Sequence, residues 1–161
     1  MFTIAKQIEI DMGHRLPFHA GGCRFLHGHR WKIEVEVSAP VLQAPEPSQS
    51  NSGMVLDFSI IKAALMDAIH TRFDHRLVLW ENDPLADTGI LKEALVHAGI
   101  LEGLVVVPVI PTSEGLAEYW AGLLVDRLAP FSITALRVWE TPTSVATWRP
   151  DFHSATVANE R

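Results

Sequence analysis

Three histidines and one cysteine lie close together near the start of the chain and could bind a metal ion. They are His14, Cys23, His27 and His29. Side chains alternate along a strand, so His27 and His29 project to the same face, and pairing with a strand that carries His14 brings three imidazoles together. Three neutral nitrogen ligands suit Zn²⁺ and leave its fourth position open, as in catalytic zinc sites. The spacing predicts a catalytic metal centre, with hydrogen-bonded core histidines as the competing interpretation.

The role of Cys23 stays open on spacing alone. Its thiol could be a fourth ligand that closes a structural site of three histidines and one cysteine, or a reactive group beside an open site. A free thiol with a pKa of about 8.5 is only slightly ionised at neutral pH, so a cation such as Arg24 or the metal would have to activate it. The flanking residues Gly21, Gly22 and Arg24 predict a polar loop rather than a core position for the thiol.

Acidic residues outside this cluster are candidates for proton transfer and ligand binding. Asp74 precedes His75, and a carboxylate beside an imidazole can orient the ring or hold its proton. Glu140 follows a predicted strand, where a carboxylate can grip a guanidine-like ring edge through two hydrogen bonds. Glu114 is most simply a residue of the first helical turn, which the helix dipole favours.

Alternating apolar and polar residues predict the strands that would position these groups. The period of two covers residues 2–12 and begins again at His29, and the segment 40–53, rich in Pro, Ser, Gln and Asn, is predicted to be a loop. Further strands are predicted over residues 54–58, 104–110, 133–139 and 144–148. Pro108 cannot donate to a ladder, so it predicts an edge strand or a strand end.

Helical spacing of apolar residues predicts two firm helices and one weaker helix. The first covers residues 60–73, with Asp57 or Ser59 as its N-cap, and the second follows Pro111-Thr112-Ser113. The weaker helix covers residues 91–98 and ends at Gly99. This order of elements predicts an α+β fold in which an antiparallel sheet carries two main helices on one face.

The amino-acid composition limits the classes of protein to which the chain can belong. The 161 residues are 48% hydrophobic and 20% charged, which predicts one globular domain over residues 1–161, with a tail over 150–161. The net charge of −6 does not favour nucleic acid or an anionic membrane as a partner. A single cysteine excludes an internal disulfide, and neither a membrane helix nor a signal peptide is predicted, so we expect a cytoplasmic protein.

Six short motifs, spread from residue 13 to residue 143, give the chain a family resemblance. In order they are Gly13-His14-Arg15-Leu16, Cys23-Arg24-Phe25-Leu26-His27-Gly28-His29, Gly53-Met54-Val55-Leu56-Asp57-Phe58, Phe73-Asp74-His75-Arg76-Leu77, Pro111-Thr112-Ser113-Glu114 and Trp139-Glu140-Thr141-Pro142-Thr143. With these motifs the chain resembles the family of 6-pyruvoyl and 6-carboxytetrahydropterin synthases. The resemblance departs from the better-known pattern in Met12-Gly13, which stands where small alanine-like residues are familiar.

The resemblance implies a tunnelling fold that assembles around a central barrel, commonly as a hexamer of two trimers. It also implies roles for individual residues. His14, His27 and His29 would hold zinc, Cys23 would accept a proton, His75 with Asp74 would relay it, and Glu140 would anchor the pterin ring. The motif with Thr112, Ser113 and Glu114 would also contact the substrate, 7,8-dihydroneopterin triphosphate. Active sites of this family lie between subunits, so His75 would serve the Cys23 of a neighbouring chain.

Three functions follow from the resemblance and the cluster. The preferred function is a zinc-dependent lyase that makes 6-carboxy-5,6,7,8-tetrahydropterin, with acetaldehyde and triphosphate released, for queuosine and other 7-deazapurines. The first alternative makes 6-pyruvoyl tetrahydropterin from the same substrate. The second alternative is a non-catalytic assembly subunit in which Cys23 completes a structural zinc site. The presence of Cys23 argues against variants of the family that replace the thiol with glutamate.

Overall fold

A mixed six-stranded sheet forms the body of the computed structural model, which describes residues 1–87 and 89–150. The strands are β1 (Phe2–His14), β2 (His27–Ala39), β3 (Arg76–Trp80), β4 (Leu104–Val107), β5 (Ser132–Thr141) and β6 (Ser144–Trp148). Across the described sheet the strand order is β4-β3-β1-β2-β5-β6. Pairing is antiparallel among β1, β2, β5 and β6, whereas β3 and β4 extend the sheet in parallel beside β1.

The first two strands form a long antiparallel ribbon with an unbroken register from Phe2 opposite Ala39 to His14 opposite His27. One face of this ribbon is apolar because side chains alternate between the two faces of a strand. That face is buried in the core through Ile8, Ile10 and Met12 of β1 and through Trp31, Ile33, Val35 and Val37 of β2. The predicted alternation in both strands is therefore confirmed, and it places the three histidines at one end of the ribbon.

The first helical segment runs continuously from α1 (Phe58–Leu65) through a π-helical turn (Met66–His70) into α2 (Thr71–Phe73). Its large buried residues, Ile61, Leu65, Ile69 and Phe73, recur at a spacing of four. A spacing of four advances about 40° per step relative to the 3.6-residue α-helical turn, and the wider π turn absorbs this drift. The π turn therefore keeps these side chains facing the sheet. Asp57 caps the segment, since its side chain accepts a hydrogen bond from the Ser59 N–H at 2.7 Å.

The second main helix, α5 (Ser113–Leu128), packs against the same face of the sheet. Thr112 caps it and accepts a hydrogen bond from the Gly115 N–H at 3.1 Å. A Cβ atom on Gly115 would lie 2.6 Å from the Ile110 carbonyl oxygen, so only glycine lets the helix begin this close to the preceding chain. The buried face comprises Leu116, Ala117, Trp120, Ala121, Leu124 and Leu128. Two short helices, α3 (Pro84–Asp87) and α4 (Ile90–His97), lie between β3 and β4, and α4 confirms the weaker helix.

Two of the sequence predictions about strands need correction. The predicted strand over residues 54–58 is wrong, because Val55 and Leu56 enter the core from an irregular segment and Asp57 caps a helix. Strand β3 was not predicted, since its apolar run follows the helix directly and pairs in parallel with β1. Strand β4 ends at Val107, directly before Pro108, and lies at the sheet edge as predicted.

The predicted α+β class, with its two main helices on one face of the sheet, is confirmed. The sheet was predicted to be antiparallel and is mixed, because β3 and β4 pair in parallel. The tail predicted over residues 150–161 lies, except for Pro150, outside the described residues. The segment 40–53 is a loop without strand or helix, as predicted. Within residues 1–87 and 89–150, none of the helices has the length and apolar character that crossing a bilayer requires.

Candidate metal centre and proton-transfer residues

The three histidines meet at one end of the β1–β2 ribbon. His14 ends β1 opposite His27, and His29 lies opposite Met12, so all three rings project from the core face of adjacent strands. The ring centroid of His14 is 4.5 Å from that of His27 and 5.4 Å from that of His29, and the last two are 5.0 Å apart. Trp31 packs beneath them, with its ring centroid 4.9 Å from that of His14. The strand register therefore produces the predicted convergence of imidazoles.

Backbone carbonyls fix which nitrogen of two rings faces inward. His14 Nδ1 lies 2.8 Å from the Pro111 carbonyl oxygen, and His27 Nδ1 lies 2.8 Å from that of Phe25. A carbonyl oxygen only accepts, so each Nδ1 must donate, and the lone pair of each neutral ring resides on Nε2. Burial lowers the pKa of His14 from 6.5 to about 4, despite the opposing hydrogen bond to Pro111. The ring of His14 is therefore neutral at physiological pH.

The Nε2 atoms of all three histidines are buried and have no hydrogen-bond partner among the described residues. Glu140 Oε1 lies 3.2 Å from His14 Nε2 and 3.5 Å from His29 Nε2. A carboxylate oxygen and an unprotonated ring nitrogen are both acceptors, and two acceptors at this distance repel unless a cation lies between them. The low pKa of His14 makes a proton an unfavourable cation there. The donor set fits a metal ion, since one ligand atom from each of the four residues lies within 4.8 Å of the others.

Glu140 also lines a pocket beside this cluster. The pocket has a volume of about 210 Å³, and its lining residues are Leu16, Thr112, Ser113, Glu114, Glu140, Ser144, Val145 and Ala146. The structure thus brings Glu140 together with the three other residues predicted to contact a substrate. The proximity of Glu140 to the histidines was not predicted, because its strand, β5, joins β2 from a distant part of the sequence. The sequence indicated a carboxylate at the end of a strand but not that it would lie beside the histidines.

Asp74 and His75 form a separate pair at the start of β3. His75 Nδ1 lies 2.8 Å from Asp74 Oδ2, while Asp74 Oδ1 accepts a hydrogen bond from the Asp11 N–H at 2.9 Å. Burial raises the pKa of Asp74, but the hydrogen bonds from Asp11 and His75 outweigh it and hold the pKa below its ordinary value. The carboxylate is thus ionised and orients the ring of His75, whose side chain is 75% exposed. With Nδ1 held by Asp74, Nε2 is the ring nitrogen free to exchange a proton.

A third residue at this carboxylate was not predicted. His70 Nε2 lies 3.7 Å from Asp74 Oδ2, which is the same oxygen that contacts His75. The two residues are four apart on the helical segment, a spacing that places side chains on one face. This spacing could have predicted the contact from sequence, but an i, i+4 pair of histidine and aspartate is common on exposed helices and is therefore a weak indication.

Cys23 lies in a short 3₁₀ turn (Gly22–Arg24) within the connection between β1 and β2, and its side chain is partly exposed. Among residues 1–87 and 89–150, the group of potential metal ligands contains Glu140 and not Cys23. In the same part of the chain, no hydrogen bond joins the thiol to Asp74 or His75. The structure therefore brings together the predicted metal ligands within one chain, but not the predicted proton acceptor and relay.

Comparison with known proteins assigns the chain to a family. The model of the 6-pyruvoyl tetrahydropterin synthase family matches residues 3–151. A Haemophilus influenzae protein named 6-carboxy-5,6,7,8-tetrahydropterin synthase is 32% identical over 148 residues, covering 89% of this chain and 96% of that protein. A Synechocystis protein of the same name is 33% identical over 138 residues, covering 81% of this chain and 98% of that protein.

Solved structures agree with this assignment. An uncharacterized Wolinella succinogenes protein, WS1659, is 27% identical, with a TM-score of 0.74 over 92% of this chain and 97% of that one. The 6-pyruvoyl tetrahydropterin synthase of Caenorhabditis elegans shares the fold at 19% identity, with a TM-score of 0.62 over 92% of this chain and 95% of that one. On its sequence and its tunnelling fold, the chain belongs to the 6-pyruvoyl tetrahydropterin synthase family.

Proposed function

We propose that the chain is a zinc-dependent lyase that converts 7,8-dihydroneopterin triphosphate into 6-carboxy-5,6,7,8-tetrahydropterin, with release of acetaldehyde and triphosphate, in queuosine and 7-deazapurine biosynthesis. The observation that carries this proposal is the convergence of three buried, unpartnered Nε2 atoms beside a carboxylate. Relatives named for the carboxy product, which match most of the chain, support this reaction over the pyruvoyl alternative.

Zinc is the metal that these residues would suit best. Tetrahedral ligands about 2.0–2.1 Å from zinc lie roughly 3.3 Å from one another. The separations of Glu140 Oε1 from two histidine nitrogens, 3.2 and 3.5 Å, are close to that value. Imidazole and carboxylate are also ligands that zinc accepts. The hydrogen bonds of His14 and His27 to backbone carbonyls would hold their rings in the ligating orientation.

The position of Glu140 suggests how an open site arises. Zinc bound here would supply a Lewis acid that polarises an oxygen of the substrate and acidifies the neighbouring C–H bonds. Glu140 both approaches the histidines and lines the pocket with Thr112 and Ser113. When a pterin ring enters, Glu140 would turn to accept two hydrogen bonds from its guanidine-like edge. The three histidines would then remain as the protein ligands.

Cys23 and His75 would perform the proton transfers. The Cys23 thiolate would take a proton from the substrate side chain, and His75 would receive it on Nε2 while Asp74 holds Nδ1–H. Because no hydrogen bond joins these residues among the described parts of one chain, we infer that His75 serves the Cys23 of a second copy. This arrangement requires a homo-oligomer, of which the hexamer implied by the family resemblance is the expected form.

The reaction can be tested by incubating the zinc-loaded protein with 7,8-dihydroneopterin triphosphate and identifying the products by mass spectrometry. The proposal expects 6-carboxy-5,6,7,8-tetrahydropterin and acetaldehyde in equal amounts. Formation of 6-pyruvoyl tetrahydropterin without acetaldehyde would contradict it and support the alternative synthase. The variant His97→Ala is a matched control, because His97 is exposed on α4 and should leave both products unchanged.

The metal content of the Cys23→Ala variant distinguishes the hypothesis of a non-catalytic assembly subunit from the proposed lyase. That hypothesis makes Cys23 a fourth ligand, so it expects the variant to lose zinc and stability, since structural zinc supplies on the order of 10 kcal/mol of apparent folding free energy. We expect the variant to keep one zinc per chain, because Glu140 rather than Cys23 lies beside the histidines. Loss of metal from Cys23→Ala, measured by elemental analysis, would favour the assembly subunit.

A further inference from the structure

A buried carboxylate with no part in the chemistry above lies just beyond β3. The side chain of Asp83 is 0% exposed. Its Oδ1 accepts a hydrogen bond from the Leu85 N–H at 2.8 Å, which caps α3. Its Oδ2 lies 3.0 Å from Arg15 Nε, an ion pair without the alignment of a hydrogen bond. A buried carboxylate is strongly disfavoured unless a cation pairs with it. Only Oδ1 is needed to cap α3. The burial of Oδ2 beside Arg15 therefore needs a separate explanation.

Arg15 begins the segment that carries Cys23, which we call the Cys23 loop (residues 15–26). The loop is closed on itself by backbone hydrogen bonds. The Leu16 N–H donates to the Cys23 carbonyl oxygen at 2.8 Å, and the Phe25 N–H donates to that of Gly22 at 3.0 Å. Leu16 follows Arg15 directly in the chain and is hydrogen-bonded to Cys23. A shift of Arg15 would therefore also move the backbone of Cys23.

A second contact ties the Cys23 loop to the same part of the chain as Asp83. The ring of Phe18 meets that of Trp80, the last residue of β3, edge-on at a centroid distance of 5.8 Å. The Asp83 N–H in turn donates to the Trp80 carbonyl oxygen at 2.9 Å. Both anchors of the loop, one ionic and one aromatic, therefore come from residues 80–83, which this backbone hydrogen bond joins into one turn.

We propose that Asp83 is a positioning residue that acts through Arg15 to hold the Cys23 thiol at a fixed place relative to the histidine cluster. The inference rests on the proposed function, in which Cys23 accepts the proton. His14 and His27 flank the loop and are held independently by the strand register. Loss of the Asp83 contact would therefore displace the thiol and leave the metal ligands in place. A displacement of about 1 Å at a reacting group can reduce turnover by about 100-fold.

The test uses the full-length, zinc-loaded protein and compares Asp83→Asn with Asp67→Asn. Asp67 is a matched control, because it also pairs with an arginine, Arg127, at 2.9 Å, but on the exposed surface of the helices. Cys23 is the single cysteine of the chain, so alkylation by iodoacetamide reports on its loop alone. We expect Asp83→Asn to keep its zinc, to lose kcat by about 10- to 100-fold with KM nearly unchanged, and to be alkylated at least about threefold faster.

Several results would overturn the proposal. If folded, zinc-loaded Asp83→Asn is alkylated and turns over like Asp67→Asn, Asp83 does not position the thiol. Loss of zinc together with activity would show instead that Asp83 supports the metal ligands. If Asp83→Asn does not fold, Arg15→Lys, which keeps the charge but not the guanidinium, decides by the same alkylation rate, and an unchanged rate contradicts the proposal.

The alkylation measurement also separates this inference from the proposed function, because it requires no turnover. Faster alkylation of Asp83→Asn in a protein that makes no carboxypterin would support the positioning role and contradict the lyase. If the unmodified protein makes carboxypterin but Asp83→Asn and Asp67→Asn are alkylated at equal rates, the lyase function is supported and the positioning role of Asp83 is contradicted.

Discussion

The three histidines meet within one chain with their Nε2 atoms buried, whereas Cys23 and His75 lie near the surface and share no hydrogen bond within the described residues. The cluster is built on paired strands, so the register that packs the core also aligns the ligands. Cys23 depends on a loop and His75 on a strand start with a left-handed backbone, φ 57°. The ligands of the proposed metal site are thus brought together by the folding of one chain, while the proposed proton transfer would depend on how loops and a second copy meet.

The largest expected effect comes from removing a metal ligand. We expect His27→Ala to bind zinc much more weakly and to lose measurable turnover, because two imidazole ligands would remain once Glu140 turns to the substrate. Elemental analysis and a product assay check this. The exposed His97→Ala variant should retain both, and zinc bound to His27→Ala with undiminished affinity would show that the cluster is not the metal site.

The next effect concerns the sharing of the site between copies. We expect Cys23→Ala and His75→Ala each to keep zinc and to lose turnover by about 100-fold or more. Dissociating the two variants, mixing them and reassembling them should restore turnover, with native Cys23 and His75 meeting in about a quarter of the sites. A mixture as inactive as its parents would show that both residues act within one chain.

Acidification should destabilise the metal-free protein through His14. Its pKa of about 4 in the folded protein lies below the ordinary value of 6.5, so between these pH values the unfolded chain binds a proton that the folded chain excludes. The free energy of unfolding should therefore fall as pH falls from 6.5 to 4, by up to about 3 kcal/mol. Urea titrations of metal-free protein at several pH values measure this. A metal-free His14→Asn variant with an equally steep dependence would contradict the assignment to His14.

The smallest effect tests whether the start of α5 supports the cluster. Gly115→Ala would place a Cβ atom 2.6 Å from the Ile110 carbonyl oxygen and push the helix away from Pro111, the hydrogen-bond partner of His14. We expect a loss of about 1–3 kcal/mol of stability and weaker zinc binding. Gly122→Ala on the same helix meets nothing within 4 Å and should gain up to about 1 kcal/mol. Calorimetry that gives both variants equal stability would contradict this account.

The parts of the site that could be predicted from sequence are those that depend on a local period. The alternation in β1 and β2 predicts a shared face for His14, His27 and His29, and the pairing of the strands adds only their register. The contacts of Glu140 with the cluster and of Asp83 with Arg15 join residues that lie far apart in the chain, and no local pattern encodes them.

The missed strand β3 shows the same limit. It is a short apolar run whose partner in the sheet is set by the path of the chain after the helical segment. The mistaken strand over residues 54–58 has the opposite cause. Its apolar residues Val55 and Leu56 are indeed buried, but local composition cannot distinguish an irregular core segment from a strand.

The contact of His14 with Pro111 also bears on how the protein is made. These residues are 97 apart in sequence, and Glu140 comes from a still later strand. A growing chain therefore cannot assemble the cluster until nearly all of the described fold has been synthesised. Binding of metal with full affinity would then require that β1, β2, β5 and the start of α5 have all folded. It would therefore serve as a measure of complete folding of these elements.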